Sequence, residues 1–142
     1  MKVEQILSAK GADVFSVTTT DPISKAVDVL GEKNIGAVLV KDEAGAVAGI
    51  LSERDVVRTM RTGGATTLSE PVSSCMTANP HTCGLETSVD ELMMEMTEKR
   101  IRHMPVVKDG ALVGVVSIGD VVKRKIENAE QEAAALKEYI SS

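Results

Sequence analysis

Aromatic side chains are almost missing from this chain: one Phe, one Tyr and no Trp occur in 142 residues. Any core must therefore be filled by Val, Ile, Leu, Ala and Met. Cysteine is nearly as scarce, with only Cys75 and Cys83, so no disulfide framework is implied and a reducing cytoplasm is the simplest location. No apolar run reaches the ~20 residues of a membrane-crossing helix. The N-terminus, MKVEQILSAKGADV, has neither the long apolar run nor the cleavage signal of a secretory peptide. Positive charge is not in surplus either: 16 Lys and Arg stand against 21 Asp and Glu, a formal net charge of −5. The densest basic cluster, KRK at 123–125, is followed at once by acidic residues. That argues against nucleic acid or a membrane surface as partner, because both are held by basic patches. Catalytic signatures are absent too. The only histidines are His81 and His103, and no Gly-x4-Gly-Lys-Ser/Thr or Gly-x-Gly-x-x-Gly loop occurs, so an enzyme is not expected.

What the chain does contain is an internal repeat. GILSERDVVR at 49–58 and GVVSIGDVVK at 114–123 share one pattern: Gly, two aliphatics, Ser, two variable residues, Asp, Val-Val and a base. Upstream, IGAVLVKDEAGAVAG at 35–49 matches IRHMPVVKDGALVG at 101–114, and ISKAVDVLGEKN at 23–34 matches VDELMMEMTEKR at 89–100. Repeats that lie along most of a chain indicate a duplicated unit. The boundary is expected after residue 68, giving domains 1–68 and 69–142, with TGGATTLSEP at 62–71 as the linker. Halves this small bury little surface alone, so they should pack on each other.

Each copy is predicted to run β-α-β-β-α. A short strand (DVFSVTT; HTC) precedes a helix with apolar residues at Ile23, Ala26, Val27 and Leu30, or at Val89, Leu92, Met93 and Met96. Asp21 with Pro22, and Ser88 with Glu91, read as helix starts. Two strands follow, joined by KDEAG in the first copy and KDG in the second. After the Asp comes a second helix. In the second copy it is long, with apolar positions Val122, Ile126, Ala129, Ala133, Leu136 and Ile140 falling three or four apart. This tail reads as packing on another subunit, or as capping its own monomer.

The Ser-x-x-Asp pairs, Ser52 with Asp55 and Ser117 with Asp120, are the candidate ligand residues. A carboxylate can accept both hydroxyls of a ribose diol. A serine at the strand end and the free N–H groups of the helix start suit a phosphate. Gly119 and the other small glycines let a ligand approach the backbone. The plainer reading is that each Asp only caps its helix and each Ser only ends its strand. The copies differ in charge: Arg102 and His103 stand where the first copy has Gly36 and Ala37. Because phosphate needs cationic partners, Asp120 should mark the stronger site.

The two signatures, together with IRHMPVV and VSSCMTANPHTC, resemble the CBS domain, named after cystathionine β-synthase, over nearly the whole chain. The resemblance implies an α+β fold whose two β-α-β-β-α repeats pack sheet to sheet about a pseudo-twofold axis. It implies two clefts between the repeats that take AMP, ADP, ATP, NAD(H) or S-adenosyl compounds as regulatory ligands. It also implies a homodimer and an effector protein that this sequence does not identify. By the same resemblance the Asp120 cleft includes Thr19, Thr20 and Ala26, with Ile101 against adenine. The Asp55 cleft includes Thr82, Cys83 and Val89, with Arg54 as a possible base. The function so implied is an AMP-type sensor that signals through ligand-dependent geometry. The alternatives are an NAD(H) or S-adenosyl sensor, or a ligand-free interaction scaffold. A metal or redox role for Cys75, His81 and Cys83 is the remaining rival, although a closed zinc site wants a fourth ligand.

Overall fold

The computed structural model of the chain describes residues 1–11 and 13–141. It is a mixed α+β fold that divides into two compact units, Asp13–His81 and Met1–Ala12 with Thr82–Ser142.

In the unit Asp13–His81, β1 (Ser16–Thr18) pairs in parallel with β2 (Ala37–Lys41), which runs antiparallel to β3 (Val47–Ser52). The helices are α2 (Ile23–Lys33) and α3 (Glu53–Gly63), and a short β4 (Thr77–Ala78) closes the sheet against β3. Ile23, Ala26 and Leu30 of α2 pack on Val38, Val40 and Leu51 of the sheet, the spacing of one helix face. Val27, expected on that face, is exposed instead. Asp21 does not cap α2. Its Oδ2 accepts the Thr18 N–H at 2.8 Å, and Pro22 occupies the cap position with extended backbone. The stretch read as a linker is folded: Ala65–Ser69 form a 3-10 turn, Thr67 is buried, and Pro71 bridges Pro22.

The other unit repeats this plan with substitutions. Here α4 (Val89–Lys99) corresponds to α2, and the hairpin of β5 (His103–Lys108) and β6 (Ala111–Ser117) corresponds to β2 and β3. The turn between β5 and β6 is Asp109-Gly110, both at positive φ (52° and 79°), the backbone of a tight two-residue hairpin turn. The expected strand HTC reduces to one residue: Cys83 bridges Val106 in parallel. Ser88 does cap α4, its Oγ accepting the Glu91 N–H at 3.0 Å. The long α5 (Ile118–Ser141) ends the unit, with Val121 buried at its start.

An N-terminal helix, α1 (Val3–Lys10), not anticipated from the sequence, packs here rather than with the repeat that follows it. Its backbone is threaded as residues 70–73 are in the other unit. Val3 N–H donates to Thr87 O (2.9 Å), Glu4 N–H to Leu85 O (3.1 Å), and Val89 N–H to Met1 O (2.9 Å). In the other unit, Val72 N–H donates to Asp21 O (2.8 Å), Ser73 N–H to Thr19 O (3.1 Å), and Ile23 N–H to Glu70 O (2.9 Å). Each repeat is thus completed by the segment that precedes the other one.

The signature glycines follow from this threading. A Cβ on Gly49 would stand 2.5 Å from Thr77 O, and one on Gly114 would stand 2.8 Å from Leu7 Cδ2. These glycines admit the crossing segment and leave no gap for a ligand, contrary to the reading that they open the backbone to one.

Candidate ligand site at the strand-to-helix turns

Both Ser-x-x-Asp pairs fold as capping boxes. Asp55 N–H donates to Ser52 Oγ at 3.2 Å, and Ser52 N–H donates to Asp55 Oδ2 at 2.9 Å. Asp120 N–H donates to Ser117 Oγ at 3.1 Å, and Ser117 N–H donates to Asp120 Oδ2 at 2.9 Å. Two orphan N–H groups of each helix start are met in this way. The motif is therefore a structural device first, with serine as the cap and aspartate as its reciprocal partner.

Beyond that common frame the two aspartates diverge. The Asp55 side chain is only 7% exposed and both its oxygens are engaged. Oδ2 also accepts the Ser52 hydroxyl at 3.1 Å, and Oδ1 accepts Arg58 Nη2 at 2.7 Å. The Asp120 side chain is 22% exposed. Its contacts with the Ser117 N–H and with Lys10 Nζ, at 2.6 Å, both fall on Oδ2. Lys10 Nζ also donates to Val115 O at 2.9 Å, which fixes the ammonium beside the turn. Burial pushes the Asp120 carboxyl up, but the Lys10 and Ser117 contacts outweigh it and leave the group below the ordinary carboxylate range. Lys10 comes from α1, and sequence reasoning missed it.

The same turn gathers most of the residues expected around Asp120. His103 is the register partner of Ser117, as Ala37 is of Ser52. Arg102 is exposed, and its carbonyl accepts the Ile118 N–H at 2.8 Å. Ile101 is half-buried against the core of its unit. Gly119 is exposed, and a Cβ there would meet only Ser117 Oγ at 3.6 Å, so no close approach requires it. In the first copy Arg54 is exposed.

The remaining candidates lie in the first strand and helix of each unit. Thr19 N–H donates to Lys41 O and its carbonyl accepts Ser73 N–H. Thr20 is exposed, with its hydroxyl 3.5 Å from that of Thr18. Thr82 is exposed. Ala26 and Val89 are different: each is sealed in the core of its own unit, which leaves no side-chain surface for a ligand. Cys83 is likewise in the core, its backbone bonded to Pro105 and Val107. Burial, with Glu95 adding, pushes its thiol up to about 11, far from the thiolate that reacts or binds metal. Cys75 is buried in the other unit, its Sγ 3.0 Å from Thr59 Oγ1 and 3.3 Å from Asp55 O. Among the described residues no group of three His, Cys, Asp or Glu side chains is placed to hold a metal ion.

Two matches to the CBS domain family profile, at residues 3–62 and 72–127, decide what this duplicated fold is. The chain belongs to the CBS domain family. Each match opens at the crossing segment, Val3 in one and Val72 in the other. The chain is 39% identical to the CBS domain-containing protein CBSX3, mitochondrial, of Arabidopsis thaliana, across 97% of its own length and 71% of that protein. It is similar to the crystal structure of a CBS-domain-containing protein from Agrobacterium tumefaciens, with a TM-score of 0.85, 43% identity, and coverage of 87% of this chain and 92% of that one. It is also similar to a CBS domain protein from Pyrobaculum aerophilum complexed with AMP, with a TM-score of 0.75, 26% identity, and coverage of 84% and 89%. No helix among the described residues is long and apolar enough to cross a membrane.

Proposed function

We propose that this CBS pair is a regulatory module that binds an adenine nucleotide of the AMP type, with Asp120 at the principal site. The observation that carries the reading is the contrast between the two capping boxes: Asp55 engages both oxygens, while the contacts of Asp120 converge on Oδ2. A ribose diol can bond Oδ1 while the helix cap stays intact. Arg102 and the Lys10 ammonium supply the cations that a phosphate needs, His103 adds a ring N–H donor, and Ile101 offers an aliphatic wall to the base. The AMP complex of the Pyrobaculum aerophilum protein supports the ligand class. Ser52 and Asp55, with Arg54, form a second and weaker site. A ligand that prefers one arrangement of the repeats shifts the population toward it, and a cytoplasmic effector would read that shift.

Calorimetric titration with AMP, ATP, NADH and S-adenosylmethionine tests this. AMP should bind most tightly. Asp120→Asn should weaken it roughly tenfold or more, the loss of a charge-assisted hydrogen bond of ~1.5 kcal/mol. Asp55→Asn should matter much less. Unchanged AMP affinity in Asp120→Asn, or no binding of any of the four, would overturn the reading.

A further inference from the structure

Lys10 ends α1, and its side chain reaches the start of α5. Its Nζ lies 2.6 Å from Asp120 Oδ2 and 2.9 Å from Val115 O. An ammonium has three donors, so one is left for a ligand, and the side chain is still 37% exposed. The fold does not require a lysine there, as the other unit shows. Its crossing segment enters at Val72, as α1 enters at Val3. Met76 lies against Gly49 as Leu7 lies against Gly114. In that register the residue equivalent to Lys10 is Asn79, which carries no charge. Asp55 takes its counter-ion from Arg58 on its own helix instead. Both capping boxes form all the same. The charge that α1 brings to Asp120 is therefore an addition that the capping box can do without.

What Lys10 adds is a sign. Asp120 and Lys10 balance as an ion pair. The exposed Arg102 is joined to the same turn through its carbonyl and the Ile118 N–H, and the three charges together leave the turn positive. Without Lys10 the carboxylate would cancel Arg102 and the turn would be neutral. A ribose with its diol on Asp120 Oδ1 keeps its 5′ carbon on the same sugar, so the group carried there falls within one Debye length, ~8 Å, of Nζ. At that range a like charge is repelled and an opposite charge is drawn in. Adenosine ligands differ most at that carbon: a phosphate is an anion, a thioether is neutral and a sulfonium is a cation.

We infer that Lys10 sets the charge class of the ligand: it selects an adenosine that carries an anion at the ribose 5′ carbon and turns away one that carries a sulfonium there. This rests on the nucleotide reading of the Asp120 site and adds the residue that discriminates among adenosine ligands. The test titrates the full chain, Lys10→Gln and Lys10→Arg with AMP, 5′-methylthioadenosine and S-adenosylmethionine by calorimetry. All three ligands present the same diol, so any general damage to Asp120 cancels in their affinity ratios. The parent chain should bind AMP best and S-adenosylmethionine worst. In Lys10→Gln the preference for AMP over 5′-methylthioadenosine should fall roughly tenfold, and S-adenosylmethionine should gain on 5′-methylthioadenosine by about threefold. Lys10→Arg should keep the parent ratios. Val3, Ile6 and Leu7 hold α1 in the core, so the variants keep the fold. Unchanged ratios in Lys10→Gln overturn the role of Lys10 and leave the AMP reading standing. A Lys10→Arg chain with the ratios of Lys10→Gln overturns it too, because shape and not charge would then be at work. A parent chain that prefers S-adenosylmethionine, or binds none of the three, overturns the AMP reading and this inference together.

Discussion

At the scale of single residues, the Ser-x-x-Asp signature shows how one pattern serves two ends. Its spacing was legible as a helix start, but the cap read onto Asp belongs to Ser: Ser52 is the N-cap of α3, and Asp55 is the third residue of the box. What the sequence could not show is how the contacts of each aspartate divide between its two oxygens. That depends on Lys10, 110 residues from Asp120 along the chain, and on Arg58 one turn beyond Asp55. The lowered pKa of Asp120 sets a pH dependence. Because the folded value lies below the unfolded one, the stability it contributes is fully present above the ordinary carboxylate pKa of about 3.9 and is lost as pH falls through the lower folded value. The stability difference between the parent chain and Asp120→Asn, measured by urea unfolding, should therefore be flat from pH 7 to pH 5 and shrink below about pH 4. The glycines give a second prediction. Gly49→Ala drives a Cβ onto a backbone oxygen, whereas Gly114→Ala meets only the end of the Leu7 side chain. Thermal unfolding should show Gly49→Ala losing ~1–3 kcal/mol and Gly114→Ala clearly less.

At the scale of elements, the helices and hairpins with strong periodicity formed where the pattern placed them: α2, α4, α5 and the strands of both hairpins. The misses share a cause, which is dependence on distant partners. The segment around Cys83 is too short to be a strand alone and exists as a bridge because Pro105 and Val107 meet it. The spacing of Val3, Ile6 and Leu7 was a usable helical signal for α1. The segment nevertheless precedes the first recognisable repeat, and its core is built by Leu92, Met104 and Val116 far along the chain. The consequence is testable by hydrogen exchange. Ile6→Ala should cost about 2–4 kcal/mol. The loss of amide protection should appear across 82–128 and spare 13–81. Equal loss in both stretches would refute the assignment of α1 to one unit.

At the scale of the whole molecule, duplication was the most legible property, since two matched signatures give the same local fold twice. Which segments complete each copy was not legible, because the exchange of residues 1–11 and 70–78 between repeats leaves both copies looking intact along the sequence. That exchange orders events during synthesis. The stretch 13–81 has all its core residues as soon as it leaves the ribosome. Val3, Ile6 and Leu7, made before that stretch, must wait for β6, the last of their sheet partners, to emerge. At ordinary elongation speeds of about 5–20 residues per second that wait is on the order of ten seconds. Throughout it the nascent α1 carries an uncovered greasy patch, which leaves this helix without shelter long after the stretch 13–81 has folded and makes it the natural place for a chaperone to hold the chain.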